Sequence, residues 1–334
     1  MRRRKRRSRL LLPLAVALTV VIIAGIYLGG RWLERGSKQA ETRGDYHERY
    51  KYDDVVEIDG VEYRQRKNMT TLLVMGIDKD GNARNGQFRN GGQADFLRWI
   101  VIDASRRQVT QLQIDRDTIT PITILGVLGN NAGKRATQIC LSHGFGDGGE
   151  QSCAFTEEAV SELLMGVRID AYLAMNLDGI SVLNDQVGGV TVKIEDDFSS
   201  VNPTMVQGAT MKLMGDQAEY FVRSRMTIGV GTNEARMVRQ QTYITELTRM
   251  LDEKIRADKE YVGSLFDALE PYLTTDMSRG RLINEAWNAY SFDRQPLVEL
   301  PGEYGIGIDG FMEFHVDAAA IKSIVLELFY EPLK

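Results

Sequence analysis

The chain opens on a run that decides where the rest of it must lie. Arg2, Arg3, Arg4, Lys5, Arg6, Arg7 and Arg9 put seven positive charges into the first nine residues, and the 21 residues 10–30 carry no charged side chain. At a helical rise of about 1.5 Å per residue, such a stretch spans roughly 31 Å, the thickness of a bilayer's hydrocarbon core. A positive flank stays in the cytoplasm, which places the remainder of the chain outside. A cleaved signal peptide is the alternative, but its apolar region runs to about 7–15 residues before a small-x-small cleavage site. Here the stretch is longer and continues through Gly29 and Gly30 into Arg31, Trp32 and Leu33. The expectation is a cytoplasmic tip (1–9) and an uncleaved single-pass anchor (10–30) in the cytoplasmic membrane, with an extracytoplasmic body.

That body is acidic. The whole chain has a net charge of −5, so the residues beyond the basic tip carry −12. This excludes a nucleic-acid binder, whose affinity rests on Lys and Arg neutralising phosphates. The cysteines Cys140 and Cys153 lie across a Gly-rich turn. Outside the membrane they form either a disulfide or two buried reduced thiols. Histidine occurs only at His47, His143 and His315, and there is no CxxC. A His/Cys zinc site is therefore excluded by count. Any metal must sit on carboxylates, which suits a hard cation such as Mg²⁺.

Residues 31–67 read as a juxtamembrane connector ending in a hairpin, 55–58 and 61–65 about the turn Asp59-Gly60. The folded domain is expected over 68–334, with its core at about 70–245. Within it, 71–76 reads as a buried strand followed by a glycine- and asparagine-rich loop, 81–92. Strands follow at 97–102 and 109–114, joined by a turn at 104–107, then at 172–176, 190–194 and near 311–315. Helices are expected from Thr156, over 216–225 and 234–251 about the break Gly229-Val230-Gly231, at about 260–270 and 279–290, and over 318–329. Strands alternating with helices predict one α/β domain on a mixed or mostly parallel sheet. Two strands run into acid-bearing turns, Ile77-Asp78 and Asp115-Arg116-Asp117, and ligands in open α/β sheets gather at the carboxyl ends of strands.

Three clusters carry candidate chemistry. Asp78 and Asp95 flank neighbouring strands, Asp115-Arg116-Asp117-Thr118 forms the second, and Arg223-Ser224-Arg225 with Arg236, Arg239 and Gln240 forms the third. Arg236, Arg239 and Gln240 stand at i, i+3 and i+4, on one helix face. Arginines converging without interleaved acids call for an anion, and the planar guanidinium fork suits phosphate. The competing explanation is surface arginines paired with Glu219, Glu234 or Asp216. Acids beside a pyrophosphate repel it unless a divalent cation intervenes, and Mg²⁺ takes one or two carboxylates with substrate oxygens. Otherwise each acid is a turn former or helix cap. The usual phosphate motifs fail. A P-loop ending at Gly133-Lys134 would need glycine where Leu128 stands, and Arg135 replaces its Ser or Thr. GxSxG is absent.

The run Leu72-Leu73-Val74-Met75-Gly76-Ile77-Asp78, then Ala94-Asp95 and Arg116-Asp117-Thr118, resembles the first half of LytR–CpsA–Psr domains. So do Ile169-Asp170, Tyr172, Asn176, Asp178-Gly179-Ile180 and Val187-Gly188-Gly189-Val190. The second half matches in Leu213, Gly215, Asp216-Gln217-Ala218, Val222-Arg223-Ser224-Arg225 and Arg236-x-x-Arg239-Gln240-Gln241. The resemblance implies a three-layer α/β/α domain with a central mixed sheet and a pocket for a polyprenyl chain. It further implies a phosphotransferase moving an undecaprenyl-pyrophosphate-linked glycopolymer, such as teichoic acid or capsule, onto a peptidoglycan sugar hydroxyl. Carried across, Asp78 and Asp95 are the Mg²⁺ acids, one of them a base. Arg116, Arg223 and Arg225 join them in catalysis, and with Arg236, Arg239 and Gln240 hold the pyrophosphate. Gln93 and Asp115 depart from the family's usual Arg and Pro, and Lys134 or Arg135 stands in for its middle lysine. The same site serves a pyrophosphate hydrolase equally, and a non-catalytic wall-binding regulator would keep the fold.

Overall fold

The computed structural model describes residues 55–81, 83, 91–224, 228, 229, 231–258 and 260–333. The basic tip, the expected anchor, the connector up to residue 54 and Arg225 lie outside the described residues. Among those described, no helix is long and apolar enough to cross a membrane. The first described element is the expected hairpin, Val55–Ile58 (β1) antiparallel to Val61–Gln65 (β2). Asp59 and Gly60 take φ of +53° and +76°, the pair of left-handed residues that a two-residue hairpin turn matched to strand twist requires.

The strands β3 (Met69–Ile77), β4 (Ala94–Asp103) and β5 (Gln108–Ile114) come next. A hairpin of β6 (Ile119–Leu125) and β7 (Asn131–Gln138) leads to helices α1 (Leu141–Gly144) and α2 (Glu150–Leu163). Then follow β8 (Ala171–Asn176), α3 (Asp178–Gln186), β9 (Thr191–Lys193), β10 (Thr210–Lys212), α4 (Asp216–Arg223), α5 (Asn233–Ala257) and α6 (Tyr261–Leu269). The chain closes with β11 (Leu273–Thr275), α7 (Arg279–Ser291), β12 (Asp293–Arg294), β13 (Val298–Glu299), β14 (Gly302–Ile306), β15 (Met312–Val316), α8 (Ala318–Phe329) and β16 (Tyr330–Pro332), which pairs with β2.

The main sheet has seven strands in the order β11-β8-β3-β4-β5, with β12 and β13 both on the far edge of β5. It is mixed. β4 runs antiparallel to β3 and β5, while β8 is parallel to β3. The short turn 104–107 decides part of this, because a parallel crossover needs a dozen or more residues. Residues 71–75 of β3 are all buried, so the sheet is covered on both faces. Leu73, Met75, Leu97, Trp99 and Val101 point to one layer with α2 and α8, where Trp99 stacks on Phe329 at 4.9 Å. Leu72, Val74, Ile100 and Ile102 point to the other, under α3, α4, α5 and α6. The result is the expected α/β/α sandwich.

Differences from the sequence reading are local. Helix α2 starts at Glu150, so Thr156 is an interior residue, its hydroxyl bonded to the Ser152 carbonyl at 3.0 Å. Helix α5 runs on to Ala257. The hairpin of β6 and β7 has no counterpart in the hydrophobic pattern, because β7 reads Asn-Ala-Gly-Lys-Arg-Ala-Thr-Gln and is largely exposed. Cys140 and Cys153 are both buried free thiols, which settles the choice against a disulfide.

Candidate anion cleft at the carboxyl end of the sheet

β3 and β4 pair regularly up to Gly76 opposite Phe96, and the next pair is Ile77 with Ala94. Asp95 is therefore the extra residue of a β-bulge, a device that re-aims a side chain out of the strand's alternation. It brings the Asp95 carboxylate into the same cleft as Asp78, the residue after β3. Glycine permits this closeness. A Cβ on Gly76 would lie 3.0 Å from Phe96 Cβ. At Gly92, with φ +74°, a Cβ would come within 2.9 Å of the Asp78 carbonyl oxygen.

The cleft, about 60 Å³, has a charged side of Asp78, Asp95, Arg223, Arg236 and Gln240, and an apolar side of Phe96, Met175, Leu177, Ile180 and Val222. The two acids come from adjacent strands and Met175 from the end of β8. Arg223 closes α4, and Arg236 and Gln240 lie in the first turns of α5. Parallel β3 and β8 end on this edge and antiparallel β4 begins there, so the cleft sits where open α/β sheets bind ligands.

Charges in the cleft are paired. Asp95 holds two arginines, Arg116 through Oδ1 and Arg236 through Oδ2 at 2.9 Å. Arg236 also donates to Asn233 Oδ1 at 2.6 Å, and Asn233 donates to Asp115 at 2.9 Å. Asp115 in turn accepts from the Tyr304 hydroxyl of β14. A continuous polar chain thus runs from the cleft to the hairpin of β14 and β15. On the other side, Arg223 Nη2 lies 2.9 Å from Asp78 Oδ1, and its Nη1 lies 3.0 Å from Glu219 Oε1. Asp78 Oδ1 is nonetheless buried without a hydrogen bond. The two observations agree if this contact is an ion pair with poor hydrogen-bond geometry.

Exposure separates the arginines. The side chain of Arg236 is 5% exposed and that of Arg223 is 44%, so Arg236 is a fixed wall and Arg223 an arm at the mouth. Burial pulls the Arg116 guanidinium down, but the charges around it outweigh this and the net direction is up: Cys140, which counts only once it is a thiolate, then Asp95 and Asp117. For Arg223, burial is likewise overcome by Asp78 and Glu219. Burial raises the Glu219 carboxyl, and its bond to Arg223 only partly offsets this. The Cys140 thiol accepts from Arg116 Nη2 at 3.3 Å, and burial pushes it up to about 12, so it meets the arginine as a neutral group.

The structure brings Asp78, Asp95, Arg223, Arg236 and Gln240 together, with Arg116 tied on through Asp95. It does not bring Arg239 there. That side chain turns to Asp196 at 3.0 Å and to the Phe221 carbonyl at 3.3 Å. The expectation of arginines without interleaved acids is also corrected, since Asp78, Asp95, Asp196 and Glu219 each meet one or more of them. Lys134 lies in a separate cleft under the β6–β7 hairpin, bound to Glu158 at 3.1 Å and to Glu162. Sequence reasoning missed Asn233 and Tyr304. Asn233, three residues before Arg236, carried a signal in its helical spacing, whereas Tyr304 carried none.

This geometry defines a class: an α/β/α protein with an acid- and arginine-lined cleft at one edge of a mixed sheet. The chain belongs to the LytR_cpsA_psr family, whose model matches residues 33–329. It is 24% identical over 295 residues to the polyisoprenyl-teichoic acid–peptidoglycan teichoic acid transferase TagU of Bacillus mycoides (strain KBAB4), covering 87% of this chain and 88% of that relative. It is also 24% identical over 333 residues to TagU of Bacillus subtilis (strain 168), covering 98% and 97%. Among solved structures it resembles protein gbs0355 from Streptococcus agalactiae with a TM-score of 0.62 at 19% identity, over 78% of this chain and 86% of that one. It resembles B. subtilis TagV with a TM-score of 0.55 at 20% identity, over 79% and 96%. These structural likenesses speak to the fold.

Proposed function

We propose that the protein is a phosphotransferase that moves a glycopolymer from a polyprenyl-pyrophosphate carrier to a peptidoglycan sugar hydroxyl. The observation that carries this is the two-sided cleft, with Asp78, Asp95, Arg223 and Arg236 facing Phe96, Met175, Leu177 and Ile180, in a family whose relatives bear teichoic acid transferase names. In this proposal the pyrophosphate lies among Arg116, Arg223, Arg236 and Gln240, and the first prenyl carbons lie on the apolar wall. Arg239 supports the site from behind through Asp196, and Arg225 is assigned to the headgroup on its motif alone. Residues 10–30 hold the domain on the outer face of the cytoplasmic membrane.

The sugar hydroxyl oxygen forms a bond to the phosphorus that carries the glycan, and the bond to the prenyl-phosphate oxygen breaks. Prenyl phosphate leaves with the electron pair. The hydroxyl proton passes to a cleft acid, and we assign Asp78, which is held by Arg223 through one half-exposed ion pair. Asp95, engaged by Arg116 and Arg236, orients the cations that meet the developing charge. No group of three metal-ligating side chains occurs among the described residues. Mg²⁺ keeps waters and substrate oxygens beside one or two carboxylates, and the cleft presents two, Asp78 and Asp95. Asp78 and Asp95 would hold it, and when bound it supplies charge neutralisation at the phosphate oxygens.

The test is transfer itself: the protein, Mg²⁺, a polyprenyl-pyrophosphate-linked glycan and peptidoglycan oligomers. Glycan should appear on the oligomers, and Arg223→Ala should lower the rate about 10²–10³-fold, as removal of one charge-stabilising donor does. Phosphate release without transfer would make the protein a hydrolase. Tight lipid binding with neither product would make it a non-catalytic wall protein.

A further inference from the structure

Behind the cleft lies a cation that the proposed chemistry does not use. Arg98, on β4 three residues past Asp95, is 3% exposed. Its guanidinium donates only to side-chain amides: Nε to Gln113 Oε1 at 3.0 Å, Nη1 to Gln111 Oε1 at 3.2 Å, and Nη2 to Gln241 Oε1 at 3.3 Å and to Gln113. Among the described residues, no carboxylate lies within ion-pair distance of it, and the acid that acts on it through space is Glu299 on β13. Burial pulls its pKa down to about 9.

Its position is specific. The guanidinium carbon sits 5.0 Å from the centre of the Phe96 ring, and Phe96 also lines the cleft. Gln241, which holds Arg98 from α5, directly follows Gln240 of the cleft. Arg116, Arg223 and Arg236 all have carboxylate partners. An uncompensated buried charge is costly, and an apolar residue would fill such a place more stably.

We infer that Arg98 is a buried positive charge behind the cleft whose missing counter-charge is the pyrophosphate of the bound donor. It is buried and does not line the cleft, so it touches neither donor nor metal. It acts through its field in a poorly solvated layer where charges are weakly screened. The inference rests on the donor proposed above.

The full chain in detergent would be titrated with a C20 prenyl pyrophosphate and with the matching monophosphate. Variants are Arg98→Gln, Arg98→Lys, and Arg98→Met combined with Gln113→Leu, which replaces the polar network by apolar packing. Three residues of strand separate Asp95 from Arg98 by about 10 Å. At an effective dielectric near 20, loss of a unit charge there weakens binding of a single negative charge roughly tenfold. Both neutral variants should therefore bind pyrophosphate about tenfold more weakly or worse and lose less affinity for monophosphate, while Arg98→Lys keeps most of it. A folded neutral variant with unchanged pyrophosphate affinity would overturn the inference. So would equal losses for both ligands together with a lowered melting temperature, which mark a packing role. If the unaltered protein shows no preference for pyrophosphate over monophosphate, the donor assignment fails first and takes this inference with it.

Discussion

Asp95 holds two arginines at once, so neutralising it probes how the cleft is built. The side chains of Asp95, Arg116 and Arg236 are 18%, 14% and 5% exposed. Removing one partner of a buried ion pair costs about 3–5 kcal/mol, because the remaining charge stays desolvated. Asn keeps the shape and one acceptor oxygen, and water reaches two of the three groups, so the expected cost of Asp95→Asn is about 2–4 kcal/mol. In a domain of this size 1 kcal/mol moves the melting temperature by about 2–4 °C, which gives a drop of roughly 5–15 °C. Arg236 then faces the cleft without a carboxylate partner, while Arg116 keeps Asp117 at 3.2 Å. Inorganic pyrophosphate, added without metal at low salt, should restore about 2.7 kcal/mol once it stands a hundredfold above its Kd. It should raise the melting temperature of Asp95→Asn more than that of the unaltered protein. Thermal melts with and without pyrophosphate read both effects. A drop below about 1 °C for Asp95→Asn, or equal shifts on adding pyrophosphate, refutes the pairing as drawn.

Two further predictions test the scaffold. His143 is buried and held down to about 4 by desolvation, so the unfolded chain binds its proton first. Stability from this group is whole above pH 6.5, is lost as pH falls toward 4, and amounts to about 2 kcal/mol lost by pH 5. Urea midpoints at pH 7, 6 and 5 should fall more steeply for the unaltered protein than for His143→Gln, and parallel curves would contradict this. Gly76→Ala places a Cβ 3.0 Å from Phe96 Cβ, which should cost about 1–3 kcal/mol of stability by overpacking and displace Phe96 from the cleft wall. Unchanged stability and unchanged pyrophosphate affinity would show that the bulge gives way freely.

The cleft was legible where chemistry and strand ends coincide. Asp78 follows a continuous apolar run, and Arg223, Arg236 and Gln240 sit at helix ends whose spacing brings them together. Asp95 was legible as an acid beside a strand, but its role depends on a bulge in β4, and a register shift leaves no mark in hydrophobic periodicity. Arg239 was misplaced because i, i+3 and i+4 spacing defines a stripe wider than the cleft, and its outer edge meets Asp196 instead. Partners distant in sequence were not legible. Tyr304 reaches Asp115 across 189 positions, and only the folded path of β14 and β15 connects them. Arg98 reads in sequence as a stray charge in an apolar strand, and its amide partners on β5 and α5 emerge only from strand order and helix placement.

The pairing of acids with arginines bears on how such a cleft discriminates. With Asp78 and Asp95 each engaged by cations, a single weak anion must compete with carboxylates already held in place. A polyanion that also brings a divalent cation satisfies both sides at once, because the metal takes the acids as the phosphates take the arginines. The two halves of the cleft differ in how readily they yield. The pair of Arg223 with Asp78 is 44% and 37% exposed, in the range where ion pairs contribute about 1 kcal/mol or less. The bonds from Asp95 to Arg116 and Arg236 are largely buried and costly to break. Donor binding should therefore open the Asp78–Arg223 contact and leave the Asp95 triad standing. Arg223→Lys, which keeps the charge and loses the fork, should weaken donor binding while leaving the melting temperature within about 2 °C, since exposed substitutions of this kind shift stability by about 0.5 kcal/mol. A large loss of stability in Arg223→Lys, with donor affinity intact, would reverse the roles assigned to the two sides.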